Sequence, residues 1–341
     1  MKTNTQVLLS SRPGKHLSAE NFTVSESHIP SLEDGQFLVK NVYLSLDAGF
    51  RQWMNEGASD NYLVAMPLDQ PVQSIVLGEV IESRNPAFPE GTTVMGRTAW
   101  EQYSIADGSD LMTTVTAADD IPLHEHLCAL GPSGMTAYFG LLDIGQPVAG
   151  ETVVVSAAAG GVGSIVGQIA KIRGCRTVGI SSSAEKCRWL EQQLKYDASI
   201  NHRAGEGLLN QLKREAPGGI DIFFDNVGGE MLDVAMQCLA ERARIVLCGA
   251  ISQYEKSGQH SGVHHMWELI TKRARAEGFM FSDYVDRYPL AIEEISEWIR
   301  QGKLTSPVVI TEGIETTAQA FCDMLRGHNL GKCLVKLDSN R

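Results

Sequence analysis

Residues Ser156 to Lys171 read SAAAGGVGSIVGQIAK, directly after the apolar, β-branched run ETVVV. Alanine and glycine bury almost nothing, so such a run between a strand and a helix indicates that a ligand approaches the backbone closely. Ala157, Gly160 and Gly163 form A-x-x-G-x-x-G, a relaxed dinucleotide fingerprint. In that motif the free N–H groups and the helix dipole bind a pyrophosphate. We therefore predict a dinucleotide site, the alternative being a glycine-rich turn without a ligand.

The chain around this loop alternates between apolar runs and amphipathic helical patterns. The runs are, in order, TVVVSAA, VGSIVGQIAKI, RTVGIS, AEKCRWLEQQL, ASIN, GLLNQLKREA, IDIFFDNV, EMLDVAMQCL and ARIVLCGAI. This order is typical of a parallel, doubly wound sheet covered on both faces. Up to about Ile121 the sequence reads instead as short strands, and SPVVI and KCLVKL end it in the same way. We predict an α/β chain whose last strands rejoin the first domain.

Composition excludes several classes of protein. A net charge of −12 over 341 residues disfavours nucleic acids and anionic membranes as partners. We expect no signal peptide and no membrane-spanning segment, because the first residues lack a long apolar core and no run is long enough to span a bilayer. The 7 cysteines are scattered and never form C-x-x-C, which predicts reduced thiols, a cytoplasmic location and no thiolate metal site.

The end of the next strand indicates which dinucleotide binds. An NAD site usually has Asp or Glu there, to bond the ribose hydroxyl. This strand ends in GISSS, with no acid before Glu185, and Lys186 follows. Hydroxyls and a cation suit a 2′-phosphate, so we predict NADPH as the cofactor, with Ser182 and Lys186 near that phosphate. The alternative is that Ser183 only caps a helix and Lys186 is solvated.

Five motifs in order carry a resemblance to a known family: AAAGGVGSIVGQIAK, SSAEK, DNVGGE, CGAISQY and LRGHNLGK, with LSLDAGFR nearer the start. Together they resemble the zinc-independent prostaglandin and leukotriene reductase branch of the medium-chain dehydrogenase/reductase superfamily, which includes alkenal and curcumin reductases. The similarity covers nearly the whole chain. It implies an NADPH-binding Rossmann domain at residues 123–303 and a β-rich, GroES-like catalytic domain at residues 1–122 and 304–341.

The same resemblance implies a site without a metal. Zinc-dependent members of the superfamily carry a Gly-His-Glu ligand motif and a four-cysteine lobe. This chain has Leu77-Gly78-Glu79 where the histidine would stand, and its cysteines are not clustered. We expect two histidine pairs, His124 with His126 and His264 with His265, to be solvated surface residues rather than metal ligands.

Roles for individual residues are also implied. The residues expected to contact NADPH are Gly160, Gly161, Val162, Gly163, Ser182, Lys186, His202, Asn226, Cys248, Gly249, Ala250, Ile251, Ser252, Tyr254, Phe279, Met280, Phe281 and Asn329. His202 stands where the family often has a tyrosine that meets the 2′-phosphate, and an exposed loop histidine is the alternative. Phe279 and Phe281 are implied to flank the nicotinamide, and plain core packing is the alternative. An edge strand near Ala276 to Phe281 is expected to join two copies into a homodimer.

Without a metal motif, the sequence offers no Lewis acid for direct ketone reduction. Hydride can still reach the β-carbon of an activated alkene if one or two donors stabilise the resulting enolate. Tyr254 is the first candidate donor and Tyr62 the second, and either could instead pack at a pocket rim. We predict an NADPH-dependent reductase of α,β-unsaturated ketones and aldehydes. A quinone oxidoreductase and a non-catalytic NADPH-binding protein are the alternatives.

Overall fold

A computed structural model of the chain describes residues 3–14, 16–110, 112–116, 118, 120–255 and 262–337. The chain divides into two compact units. The first contains the described residues up to Leu127, Val308–Asn329 and the described residues from Cys333. The second contains Cys128–Pro307 and Leu330–Lys332. None of the described helices is long and apolar enough to cross a membrane.

The first unit is built from antiparallel strands. Its leading strands are β1 (Thr3–Leu9), β2 (Phe22–His28), β3 (Phe37–Leu46), β4 (Gln73–Ser83), β5 (Thr93–Ala99), β6 (Tyr103–Ala106) and β7 (Thr113–Thr114). β1 pairs with β2, while β3 pairs with both β4 and β6. The short 3₁₀ turns include Ala48–Met54, between β3 and β4, and Leu123–Leu127, after β7.

The second unit alternates helices and strands. The helices are α1 (Pro132–Phe139), α2 (Gly161–Ile172), α3 (Ala184–Gln192), α4 (Leu208–Glu215), α5 (Gly229–Met236), α6 (Met266–Lys272) and α7 (Tyr288–Arg300). The strands are β8 (Thr152–Val155), β9 (Arg176–Ser181), β10 (Ala198–Asn201), β11 (Ile220–Asp225), β12 (Leu239–Leu247) and β13 (Arg275–Gly278). All pairs are parallel, in the order β10-β9-β8-β11-β12-β13. The prediction of a doubly wound parallel sheet and a separate β-rich part is therefore confirmed.

The end of the chain returns to the first sheet. It contains β14 (Val308–Glu312), α8 (Thr317–Leu325) and β15 (Lys332–Lys336). β15 lies antiparallel to β3, with Cys333 opposite Leu46. The first unit's larger sheet therefore has the order β14-β15-β3-β4-β5-β7.

The apolar character of the central strands explains why the second sheet is buried on both faces. Val153, Val154 and Val155 of β8 are fully buried, as are Phe223 and Phe224 of β11. Helices cover both faces, so successive side chains are apolar rather than alternating with polar ones. Because the strands are parallel, the carboxyl ends of β8, β9 and β11 lie along one edge of the sheet. The predicted site residues follow these strand ends in the chain.

Candidate cofactor and catalytic site

The glycine loop between β8 and α2 is packed so tightly at Gly163 that a side chain does not fit there. A Cβ on Gly163 would lie 2.5 Å from the carbonyl oxygen of Ala157 and 2.7 Å from the Cα of Ala158. Ala157 itself has a φ of +47°, a left-handed conformation that is rare for alanine. The loop thus holds the start of α2 close to β8.

The first turn of α2 supplies donors for an anion. N–H groups in the first turn of a helix have no partner within the helix, and Gly160, at the helix start, has no side chain to cap them. These groups belong to Gly161, Val162 and Gly163, where the sequence predicts the pyrophosphate. Small residues, free donors and the positive end of the helix dipole fit the two phosphates of a dinucleotide.

The ends of β9 and β10 lie side by side. Ser181 pairs in register with Asn201, and the N–H of His202 donates to the carbonyl of Ser181 at 3.1 Å. Ser182 therefore begins the β9–α3 loop beside His202. In that loop the hydroxyl of Ser183 accepts from the N–H of Lys186 at 3.2 Å, so the predicted helix cap exists. A cap at Ser183 and a cofactor contact at Lys186 are compatible, because the cap uses only the backbone of Lys186.

Burial, and then the charge of Arg203, holds the pKa of His202 below its ordinary value. Arg203 is exposed and follows β10 in a turn where its N–H donates to the side chain of Asn201 at 3.1 Å. It is a second cation at this edge of the sheet that sequence reasoning missed. Its position directly after His202 was the available signal.

Asp225 organises the loop after β11, and sequence reasoning missed it as well. It is fully buried and accepts hydrogen bonds from the hydroxyl of Ser156 at 2.9 Å and the N–H of Gly228 at 3.0 Å. Burial raises its pKa, and these hydrogen bonds act in the opposite direction. Asn226, the next residue, is also bonded to the glycine loop, because its side-chain amide donates to the carbonyl of Ser156 at 2.7 Å. A buried carboxylate therefore links the β8 and β11 loops.

Residues Cys248 to Tyr254 form a loop that is bonded to the end of β11. The N–H groups of Cys248 and Gly249 both donate to the carbonyl of Asp225, at 2.9 and 3.1 Å. Farther along, the N–H groups of Ile251 and Ser252 donate to the carbonyls of Asn226 and Val227. Burial, followed by the charge of Asp225, raises the pKa of the Cys248 thiol to about 12, so this thiol is protonated at neutral pH.

Tyr254 closes this loop on itself. Its hydroxyl oxygen accepts a hydrogen bond from the N–H of Ala250 at 3.1 Å. Burial raises the pKa of the phenol, so it keeps its proton at neutral pH. A phenol hydroxyl is both a hydrogen-bond donor and an acceptor.

Phe279, Met280 and Phe281 follow β13 directly and are half-buried. The carbonyl of Phe281 accepts from the hydroxyl of Tyr288 at 3.0 Å. Asn329 comes after α8, two residues before Gly331, and Gly331 donates its N–H to the carbonyl of Ala159 at 2.8 Å.

Tyr62, in the first unit, is held between an aromatic ring and a cation. Its ring lies 5.6 Å from that of Trp53, and the guanidinium of Arg97 lies 5.2 Å from its centre. Its N–H donates to Asp60, which also accepts from the indole of Trp53. Burial raises the pKa of Tyr62, and the charge of Arg97 acts against that rise. Arg97 is the third residue that the sequence did not single out.

No group of three or more His, Cys, Asp or Glu residues within the described ranges could hold a metal ion. The prediction that the four histidines are solvated was wrong for His126, whereas the side chain of His265 is 40% exposed. His126 is only 8% exposed, in the Leu123–Leu127 turn. The ring of His265 lies 2.9 Å from the carboxylate of Asp233, which also accepts the N–H groups of His264 and His265. Neither the burial of His126 nor the pairing of His265 with Asp233 is visible in the sequence pattern.

Comparison with known proteins gives the family. Residues 5–114 match the N-terminal domain of oxidoreductase, and residues 161–297 match a family described as zinc-binding dehydrogenase. The chain is 37% identical to an NADPH-dependent curcumin reductase of Escherichia coli over 345 residues, covering 98% of this chain and 97% of that protein. It is 39% identical to an NADP-dependent 2-alkenal reductase of Nicotiana tabacum over 298 residues, covering 87% and 86%. This chain belongs to the zinc-independent medium-chain dehydrogenase/reductase family.

A solved structure supports the same family assignment. That of CurA from Vibrio vulnificus in complex with NADPH is 37% identical, with a TM-score of 0.91, and covers 98% of this chain and 100% of that one. The predicted branch of prostaglandin, alkenal and curcumin reductases is confirmed. As a member of this family the chain is an NADP-dependent oxidoreductase, and the prediction of NADPH as cofactor is confirmed.

Proposed function

We propose that this enzyme reduces the C=C bond of α,β-unsaturated ketones and aldehydes by hydride transfer to the β-carbon. The observation that carries the proposal is Tyr254, a protonated phenol at the end of a loop bonded to Asp225 and Asn226. The names of the relatives support it, since one reduces alkenals and another reduces curcumin.

In the proposed mechanism, the pyrophosphate binds at Gly160 to Gly163 and the 2′-phosphate beside Ser182, Lys186 and His202. NADPH, when bound, supplies the hydride. Asn226 and the Cys248–Ser252 loop hold the nicotinamide ribose, Phe279 to Phe281 flank the ring, and Asn329 contacts it. Negative charge then develops on the carbonyl oxygen of the substrate, and a preorganised hydroxyl stabilises it. We assign that role to Tyr254 first and to Tyr62 second, while solvent protonates the α-carbon.

A panel of small enones, enals and quinones tests this proposal. We expect NADPH absorbance to fall when enones or enals are added and saturated carbonyl products to form. With quinones the absorbance should fall more slowly. Prolonged chelation should leave the rate unchanged, because no step of the proposal uses a metal. Turnover of quinones with none of enones would establish the quinone oxidoreductase alternative instead.

We also propose that the enzyme is a homodimer joined along β13. This strand ends the six-stranded sheet, and unpaired edges of sheets readily pair with another chain. Beside it α6 exposes Met266 by 56%, Trp267 by 67% and Ile270 by 65%, which is unusual for large apolar residues. A dimer is the commonest closed assembly and would cover both features.

Light scattering at micromolar concentration should therefore give the mass of a dimer, and Trp267→Glu should give a monomer. Val148→Glu is the matched control, because Val148 is also exposed, by 62%, but lies before β8 rather than on α6. A monomeric wild-type protein, or equal dissociation by both variants, would contradict the proposed interface.

The cytoplasm is the compartment that we propose for the enzyme. All seven cysteines are free thiols, and five of them are buried. Free thiols persist in a reducing compartment. Cell fractionation with a cytoplasmic marker tests this, and recovery with an extracellular fraction would contradict it.

A further inference from the structure

A π-helical turn, Gly140–Gly145, continues α1 directly. π-helical turns are rare and often occur at functional sites. Its last carbonyls are bound by two arginines: Nε of Arg244 donates to Gly145 at 2.8 Å, and Arg275 donates to Ile144 at 2.6 Å. Arg244 belongs to β12 and Arg275 to β13, so the turn is bonded to the last two strands of the sheet, and the second of these leads directly to Phe279.

The segment after Phe281 is attached to the same turn. The ring of Phe139 is fully buried and stacks on Tyr284 with centroids 4.4 Å apart and an angle of 9° between the planes. The guanidinium of Arg287 lies 5.1 Å from the centre of the Phe139 ring and pairs with Asp143 of the turn. Phe279 to Phe281 therefore run between two anchors, β13 before them and Tyr284 with Arg287 after them.

Gly140 lies where the ring of Phe279 meets this turn. A Cβ on Gly140 would lie 2.4 Å from Cζ of Phe279, 2.9 Å from its Cε1 and 2.9 Å from Cε2 of Phe224. Contacts below 3.0 Å essentially never occur for a real Cβ. Phe224 is fully buried in β11, whereas Phe279 is half-buried after β13, so Phe279 is the ring that would shift.

We infer that Gly140 is a positioning residue for the nicotinamide half of NADPH. Its missing side chain lets the Phe279 ring lie against the π-helical turn, and this fixes the backbone of Phe279 to Phe281. A methyl group at residue 140 would push that segment toward the nicotinamide while leaving the glycine loop and the β9 end untouched. The inference rests on the proposed place of Phe279 to Phe281 beside the nicotinamide, but not on the proposed enone chemistry.

The inference is tested by measuring, with calorimetry, the Kd of the Gly140→Ala variant for two ligands. These are NADPH and 2′-phospho-ADP-ribose. The second ligand has the adenine half and both bridging phosphates but no nicotinamide. We expect the Kd for NADPH to rise about 10-fold or more, as for overpacking of a rigid site, and the Kd for the fragment to stay within about 2-fold. Because no enone is present, failure of this test is distinct from failure of the proposed reaction.

Gly145→Ala is the matched control in the same turn. A Cβ there would meet its nearest neighbours, Ile222 and Leu141, at 3.4 Å, which is ordinary contact. It should leave both dissociation constants unchanged. Phe279→Leu removes the ring atoms that clash, so Gly140→Ala should cost less affinity for NADPH in that background than in the wild type.

An unchanged Kd for NADPH in folded Gly140→Ala would overturn the inference, as would an equal loss of both ligands. Should Gly140→Ala fail to fold, Phe279→Leu alone provides the test. Loss of its ring should weaken NADPH and spare the fragment, and equal binding of NADPH by this variant and the wild type would also overturn the inference.

Discussion

Replacing Tyr254 by phenylalanine is expected to lower kcat on a small enone by about 100-fold, as for loss of one donor to an oxyanion, or by about 10-fold if a second donor such as Tyr62 compensates. The ring stays, so packing is preserved, and only the hydroxyl is lost. A donor that acts on charge developing in the transition state changes kcat more than ground-state binding. Steady-state kinetics with saturating NADPH measures the effect.

The hydrogen bond from Ala250 to Tyr254 requires a control, because the substitution also removes an anchor of the loop. A loosened loop would weaken NADPH, whereas loss of an enolate donor would not. The Kd for NADPH should therefore stay nearly constant in Tyr254→Phe. The donor role of Tyr254 would be contradicted if Tyr254→Phe turned over at the wild-type rate while a deuteride isotope effect showed that hydride transfer limits that rate. Tyr254 would then only line the site.

The double variant Tyr254→Phe, Tyr62→Phe tests the second proposed donor. If both hydroxyls serve one oxyanion, their effects on kcat are strongly non-additive. If Tyr62 only packs against Trp53 and Arg97, Tyr62→Phe leaves kcat nearly unchanged in either background.

The second large effect is expected from Lys186→Glu. A carboxylate beside the 2′-phosphate replaces attraction by repulsion, which should weaken NADPH by about 1–3 kcal/mol, or about 5- to 150-fold in Kd. NADH lacks the phosphate and should bind as before. The fold should tolerate the change, because glutamate is favourable in the first turn of a helix. Fluorescence titration with both cofactors measures the two constants.

Lys213→Glu is the matched control for this variant. It changes the net charge equally, but Lys213 lies in the last turn of α4, where its charge acts on Cys238. It should leave both cofactors bound as in the wild type. Equal loss of NADH and NADPH by Lys186→Glu, or use of NADH as readily as NADPH by the wild type, would contradict the assignment of residues 181–186.

Local sequence signals were sufficient for the sheet and for the cofactor. The run from Val153 to Val155, the small residues up to Gly163 and the cap at Ser183 each act within a few residues of the chain. Strand propensity, close approach of the backbone and helix capping are local effects, so a single sequence displays them. The parallel direction of the strands followed from the alternation of strands and helices.

The residues that sequence reasoning missed act across the fold. Asp225 matters because Ser156 and Gly228, far apart in sequence, both donate to it. Arg97 reaches Tyr62 only after β5 is paired, and Gly140 meets Phe279 only after β13 joins the sheet. No local pattern announces a buried carboxylate, a cation over a ring or a missing side chain opposite an aromatic one.

The transfer of deuterium from NADPH labelled at both C4 positions tests the central claim most directly. The enzyme is incubated with a small enone, and the product is analysed by NMR and mass spectrometry. The proposed reaction predicts a saturated ketone with one deuterium on the former β-carbon and a solvent proton on the α-carbon. Deuterium on the carbonyl carbon, in an unsaturated alcohol, would show direct carbonyl reduction and contradict the proposal.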